Sequence, residues 1–417
     1  MPLTSFYSAL TGLNNNALAI NVIGNNLANI NTTAFKASKT SFAELLGGLA
    51  STTSTNGNPI QVGLGSFVPA ISPIFNQGSI GYTGRATDAA ISGNGFFVVS
   101  TGKELGFTRS GGFGFTSTGD LINGEGFKIQ GYQATNGVVN ANSVLSPITI
   151  QKGATLPPQA TTNLSVSANL DSQTATNLTF SAAVQVFDSL GTPHNVTVTF
   201  TKAAGAGAWS WAATLPAVDT GGAANAPPVQ VGNGTFTFNS NGVLTSPTSN
   251  ATLTIPGLAS GAATMNVSFG ILDPNGVPRF TSYASTSTVS TTTQNGYASS
   301  VLRDVSIDSS GVISGLYDNG RVQAVAQLAL ANFPNVEGLL KFKGSTFVSF
   351  GSSGEPSIGV PGTGGRGSIS GSSLEQSNVD IATEFTDLIV AQRGYQASSK
   401  IITATDELYQ DAIALKR

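Results

Sequence analysis

A nucleophilic hydrolase, a metal centre or a phosphate loop each needs particular residues at particular spacings, and this chain offers few of them. His194 is the only histidine and there is no cysteine. A Ser-His-Asp arrangement would have to use His194, which follows Pro193 in a predicted turn and has no Gly-x-Ser-x-Gly elbow around it. It reads instead as a surface turn residue. Without cysteine there are no disulfides, thiolate nucleophiles, iron–sulfur clusters or Cys-ligated zinc. Asp304, Asp308 and Asp318 lie near Gly311, Gly315 and Gly320, a composition that suits calcium, but the EF-hand spacing is missing and hairpin turns account for them. The run Gly362-Thr363-Gly364-Gly365-Arg366-Gly367 lacks the Gly-Lys-Ser/Thr ending of a phosphate loop and no helix follows it directly, so it reads as a linker. No motif sets a pair of carboxylates across a cleft. The expectation is a protein that is not an enzyme, with no catalytic, cofactor or metal residues.

The elements around these residues carry more information. Residues 1–35 contain no charged side chain, yet Leu3, Phe6, Leu10, Leu13, Ala17, Ile20, Gly24 and Leu27 follow the alternating three-and-four spacing of a coiled-coil seam. Near the other end, Ile381, Phe385, Leu388, Tyr395, Ile402, Leu408 and Leu415 form a second stripe. Helices are predicted over 3–28 and from Asn378 to the C-terminus, with Pro2 suited to the first turn and Asp380 and Glu384 near the positive end of the second helix. Asn14, Asn15, Asn16, Asn21, Asn25, Asn26, Asn29 and Asn31 crowd the first helix and its exit, which excludes a membrane span there. The N-terminus has no basic and apolar leader ending in a cleavage site, so no cleaved signal is expected.

Between the helices the grammar is that of β-structure. The 417 residues include 50 Gly and 18 Pro, and charged residues make up only 9%, against about 25% in ordinary soluble domains. A net charge of −3 provides no basic face for nucleic acid. Strands are predicted at Phe96–Val99, through Gly106–Tyr132, at Ala182–Phe187 and Val196–Phe200 around the turn Asp188–Pro193, and at Thr235–Phe238 and Val243–Leu244 around Asn239–Gly242. Further strands are expected at Val301–Ile307, Gly311–Tyr317 and Val322–Leu330. Residues 35–70 read as irregular with short extended pieces, 203–234 as a long surface loop, and 281–293 as a crossing between blocks.

Several ordered motifs now bear on kinship. Near the N-terminus stand Asn25-Asn26-Leu27-Ala28-Asn29 and Thr32-Thr33-Ala34-Phe35-Lys36. Near the C-terminus stand Ser377-Asn378-Val379-Asp380, Glu384-Phe385-Thr386-Asp387-Leu388-Ile389 and Gln392-Arg393-Gly394-Tyr395-Gln396-Ala397. Gly93–Val99, Phe107–Gly111 and Asn332–Asn335 add interior matches. Together they resemble the rod–hook family of bacterial flagellar axial proteins over roughly 1–135 and 295–417. The residues carrying the likeness are Asn25, Asn26, Ala28, Asn29, Thr33, Phe35, Lys36, Asn378, Asp380, Gln392, Arg393 and Tyr395. Ala34 departs from the pattern, since the family usually has Gly there. The block at about 150–285, with Val186–His194 and the Trp209/Trp211 pair, resembles the outer β-domain of hook subunits, which distal rod subunits lack.

The resemblance implies a mixed, mostly β fold. Residues 1–35 and 376–417 would form a coiled-coil-like inner polymerisation domain and 36–70 with 355–375 an extended connector. Residues 71–149 with 286–354 would form a β-rich middle domain, and 150–285 an outer β-domain inserted within it. It implies a structural subunit that self-assembles into a hollow, curved, flexible tube carrying motor torque from rod to filament; a distal rod subunit is the alternative. The interface would use Leu3, Phe6, Leu10, Leu13, Ile20, Leu27, Ile381, Phe385, Leu388, Tyr395, Ile402, Leu408 and Leu415. Implied partners are other copies of the chain, the distal rod protein, the hook–filament junction protein, the hook cap protein and the flagellar type III export apparatus. Nucleic acid and direct membrane insertion are not implied, and the location would be extracellular.

Overall fold

The structure is a computed structural model describing residues 2–53, 59–102, 104–151 and 153–414. The chain divides into two compact units, one made of residues 1–152, 303–316 and 322–417, the other of 153–302 and 317–321. The fold is mostly β with a helix near each end.

In the first unit, helix α1 (Pro2–Ala28) and helix α2 (Ile381–Ala414) pack against each other. Their neighbours run in opposite order: Gly12 meets Ser398, Gly394 meets Asn16, and Asn26 meets Glu384, so the pair is antiparallel. Long helices gain most of their stability from such packing. α2 starts three residues later than the expected Asn378. Asp380 caps it, its Oδ1 accepting the Thr383 amide at 2.7 Å, and that bond lowers the Asp380 carboxyl below its ordinary value.

Between α1 and the β-body lies a long antiparallel hairpin, β1 (Ser38–Thr53) and β2 (Pro59–Pro73). This corrects the expectation of irregular chain over 35–70. Its residues do not alternate cleanly and its register shifts repeatedly, so strand periodicity is hard to see. It is held instead by its own ladder and by α1, where Asn15 Nδ2 donates to Ser66 Oγ at 2.9 Å. The β-body packs Phe96, Val98, Phe107, Tyr132, Ala329, Ala331, Phe333, Leu339 and Phe347 into one core. The Phe96–Ser100 strand pairs with Leu105–Thr108 and Lys128–Thr135, and Leu330–Asn332 adds to it.

The second unit has two sheets. One is a meander of Thr179–Phe187, Pro193–Lys202, Ala208–Leu215, Val229–Phe238 and Leu244–Ser246. The other contains Asn163–Asn169, Ala251–Ile255, Met265–Gly270, Phe280–Thr281 and Thr288–Gln294. Alternate residues of both enter one core, where Trp211 lies 5.0 Å from Phe269 and Phe200 lies 5.4 Å from Phe280 between ring centroids. Two expectations fail here. Residues 203–234 are not one loop: Ala208–Leu215 is a central strand whose Trp209, Trp211, Ala213 and Leu215 all point inward. Nor do 281–293 simply cross over, because Thr288–Gln294 pairs antiparallel with Asn163–Asn169.

Trp211→Ala empties the centre of this core. It should destabilise the second unit by about 3–5 kcal/mol, read as a lower denaturation midpoint for that unit in the full chain.

Candidate functional site

The chain's first charged residue, Lys36, does not reach solvent. Its Nζ donates to Glu375 Oε1 at 2.6 Å and to the Asn76 carbonyl at 2.8 Å. The same Oε1 accepts the Gly78 amide at 2.9 Å. Glu375 Oε2 takes Arg109 Nη1 at 3.3 Å, and Arg109 Nη2 donates to the Gly93 carbonyl at 2.7 Å. All three charged side chains are buried. Desolvation pulls both Lys36 and Arg109 below their ordinary values, against the opposing pull of Glu375. Four segments meet at this carboxylate: the exit from α1, the end of the hairpin, the β-body and the strand leading to α2.

Asparagines extend the joint. Asn26, buried on α1, donates to the Ser38 carbonyl and to Glu384 Oε1, both at 2.9 Å, while its Oδ1 accepts the Ser38 amide at 3.0 Å. Asn378 Oδ1 accepts the Ala37 amide at 2.8 Å, and its Nδ2 donates to the carbonyls of Ile74 at 2.7 Å and Asn76 at 3.1 Å. Backbone bonds from Ala34 to Glu375 and from Asn378 to Phe35 complete the seam. A side-chain amide suits these places because it offers donors and an acceptor to an irregular backbone. Ala34 takes a left-handed backbone, φ +55°, with its methyl buried. This is the conformation that favours the glycine usual at that place.

The remaining motif residues divide by position. Phe35 is buried, with Lys341 Nζ 4.8 Å from its ring centroid. Asn29 bonds back to the Asn25 carbonyl and accepts from Thr32, closing the helix exit, and the Thr33 carbonyl accepts from Ser345. Asn25, Ala28, Gln392, Arg393 and Tyr395 face outward, and Arg393 Nη1 donates to Gln396 Oε1 at 3.3 Å.

Of the apolar stripes, Ile20, Leu27 and Leu388 pack around Ala19, Ile23 and Ala391 between the helices. Phe6, Leu10, Leu13 and Ile402 are half-buried, whereas Ile381, Phe385, Tyr395 and Leu408 are exposed. The Leu3 side chain and Leu415 lie outside the described residues. The inward line of α2 is largely small or polar, running Glu384, Leu388, Ala391, Ser398, Ile402, Thr405 and Tyr409 at spacings of seven, four and three. Its larger apolar residues Phe385, Ile389, Val390, Ile401 and Leu408 are left open, with Phe42, Leu46, Phe67 and Ile71 on the hairpin. No helix among the described residues is long and apolar enough to cross a membrane.

His194 overturns its expectation as a surface turn residue. It is buried, in phase with inward Val196, Val198 and Phe200. Glu375 was the residue sequence reasoning missed. The available signal was its isolation, as the one acidic residue between Glu355 and Asp380.

Two outcomes follow from this geometry. Glu375→Gln leaves Lys36 and Arg109 buried without their anion and should cost about 3–5 kcal/mol in denaturant unfolding of the full chain. Glu384 is raised above the ordinary glutamate value by burial, with Asp387 and Asp380 adding to the effect and the Asn26 bond opposing it. A raised carboxyl favours folding in its protonated form. Its contribution is therefore fully present below the ordinary glutamate range and is lost as pH rises through the elevated value. Glu384→Gln keeps an acceptor for Asn26 and should remove that part of the pH dependence of helix-pair stability, measured by circular dichroism during denaturation at a series of pH values.

Residues 6–36 match the family described as "Flagella basal body rod protein" and 370–415 "Flagellar basal body rod FlgEFG protein C-terminal". Residues 90–169 match "Flagellar hook protein FlgE/F/G D1 domain" and 156–297 "Flagellar basal body protein FlaE D2 domain". The flagellar hook protein FlgE of Treponema pallidum is 32% identical, over 99% of each chain. That of Salmonella typhimurium is 33% identical, over 99% of this chain and 100% of the relative. The crystal structure of Helicobacter pylori flagellar hook protein FlgE2 covers 69% of this chain and 98% of its own, with a TM-score of 0.52 at 14% identity, a likeness of fold. On full-length identity above 30% to these relatives, the chain belongs to the flagellar hook protein FlgE family.

Proposed function

We propose that the chain is the structural subunit of the flagellar hook, with no catalytic role. Copies of it would assemble into a hollow, curved, flexible helical tube that passes torque from rod to filament. The observation that carries this reading is the apolar surface left open on α2 and the hairpin in a chain that aligns end to end with hook proteins. Burying one Leu, Ile or Phe contributes about 1.5–3 kcal/mol. Several such residues per subunit therefore offset the large cost of ordering an assembly. In this reading the two helices form a coiled-coil-like inner domain and the β-units lie outside it, the 153–302 unit nested within the chain of the other. The outer surfaces, poor in charge and rich in Gly, Ser, Thr and Asn, exchange contacts at small cost, which suits bending.

The partners in this role are other copies of the chain, the distal rod protein, the hook–filament junction protein and the hook cap protein. The type III export apparatus would deliver the chain to the extracellular tip without a cleaved signal. A distal rod subunit is the second reading, because both helices match families described as rod proteins. The segment matching at 156–297 and the full-length identity to hook proteins favour the hook.

The test uses exposed positions that the folded chain does not need. Ile389 and Leu408 are 56% and 67% exposed. Ile389→Glu and Leu408→Glu should leave the circular dichroism of the monomer unchanged and raise the concentration needed for tubes at least about ten-fold, since each loses one apolar burial per interface. Sedimentation and negative-stain electron microscopy give the readout. Tubes from both variants at wild-type concentrations would remove α2 from the interface, and straight tubes from the wild type would favour the rod.

A further inference from the structure

The only histidine of the chain lies between two carboxylates. His194 Nε2 is 3.2 Å from Asp188 Oδ2, in hydrogen-bonding geometry, and Nδ1 is 3.2 Å from Asp219 Oδ2. The three side chains come from separate places in the second unit. Asp188 opens the turn that precedes the Pro193–Lys202 strand, His194 sits on that strand, and Asp219 belongs to the 3-10 turn Ala217–Thr220. A further segment joins through Ser260, whose Oγ donates to Asp188 Oδ2 at 2.6 Å, and through Ala259, whose amide donates to the Asp219 carbonyl at 2.8 Å. Among the described residues neither carboxylate has another cationic side chain within 4.0 Å.

The two carboxylates differ in freedom. Burial pushes the Asp188 carboxyl up, but bonds from Ser260, the Thr192 amide, His194 and the Leu190 amide outweigh it and hold it at about 2. Asp188 therefore stays ionised and fixed. The Asp219 side chain is one-quarter exposed and can turn to water. A neutral imidazole has one N–H. When Nε2–H is given to Asp188, Nδ1 presents a lone pair to the Asp219 carboxylate. An imidazolium adds an N–H at Nδ1, which is buried without a hydrogen-bond partner here and lies at ion-pair distance from Asp219.

We propose that His194 is a proton-operated pin, which in its protonated form ties the Ala217–Thr220 turn to the Asp188–Pro193 turn and in its neutral form releases Asp219. Histidine is the side chain whose charge change falls closest to physiological pH. Leu190 and Val218, 58% and 51% exposed, ride on the two turns. The device does not depend on the assembly role proposed above.

Hydrogen exchange with mass spectrometry on the full chain tests it. The amides of Gly221 and Gly222 bond within the turn and that of Ala259 bonds to it, so peptides over 216–222 and 256–262 report its closure. After correction for intrinsic rates, protection there should be of order ten-fold greater at about pH 5 than at about pH 8, as expected for a charge-assisted bond gained. His194→Gln and Asp219→Asn should each flatten the profile, while peptides from the β-body of the first unit stay unchanged. Asp219→Asn alters only a partly exposed carboxylate and decides the case if His194→Gln misfolds. A flat profile in the wild type, or the wild-type profile persisting in Asp219→Asn, overturns the pin.

Discussion

One buried carboxylate holds the first unit in register. Glu375 faces two cations, Lys36 and Arg109, and the trio carries an excess positive charge away from water. Such a group needs acceptors for its remaining donors; the Asn76 and Gly93 carbonyls supply two, while Arg109 Nε is buried without a partner among the described residues. An apolar trio could match its stability. It would not match its selectivity, because greasy contacts survive a slip of one residue and this geometry does not. A slip at any of the four segments strands a charge, and the penalty for that is several kcal/mol. Asn26 and Asn378 act in the same way, each spending several polar contacts on one backbone arrangement.

This explains which parts of the molecule were legible in the sequence. Both helices follow from spacing alone, because their periodicity extends over several turns. Strands bounded by Gly-Asp or Asn-Gly turns were equally visible. The hairpin at 38–73 was not, since its bulged register breaks the period of two and its support comes from α1, far outside any local window. The strand Ala208–Leu215 does alternate, but Ala, Gly and Pro on either side disguised it as part of a loop. His194 carried a readable clue in the inward phase it shares with Val196, Val198 and Phe200. Glu375 could be noticed as an isolated charge, but its partners stand 339 and 266 positions away, so no spacing rule would have joined them.

The helix pair separates two tasks that a single apolar stripe would confuse. Where α1 meets α2, small residues let the backbones approach: a side chain at Gly12 would meet Ser398 and one at Gly394 would meet Asn16. Polar Glu384 and Asn26 fix the register at one end. Leu388 and Ile402 apart, most of the larger apolar residues of α2 fall outside this line. A stripe dominated by Leu and Ile would have drawn its own α1 onto it and left nothing for a neighbour. The modest internal seam thus leaves most of the large apolar side chains of α2 uncovered by its own α1.

The insertion of residues 153–302, the greater part of the second unit, looks like an obstacle to closing the Lys36–Glu375 contact, and magnitudes decide that it is not. Loop-closure entropy grows with the logarithm of length, so doubling a loop costs only about 0.6 kcal/mol. The inserted unit is also closed at its own neck, where Thr155 pairs with Val301 and Leu156 with Ser300. Once folded, it joins the flanking chain through two adjacent strands and contributes almost nothing to the loop. The length of this insertion therefore adds little to the cost of bringing the buried charges together. What they cannot tolerate is a shift of one residue in the short segments around Lys36, Gly78, Arg109 and Glu375. Both follow from the same physics: entropy that scales weakly with length, and electrostatics that scale steeply with position.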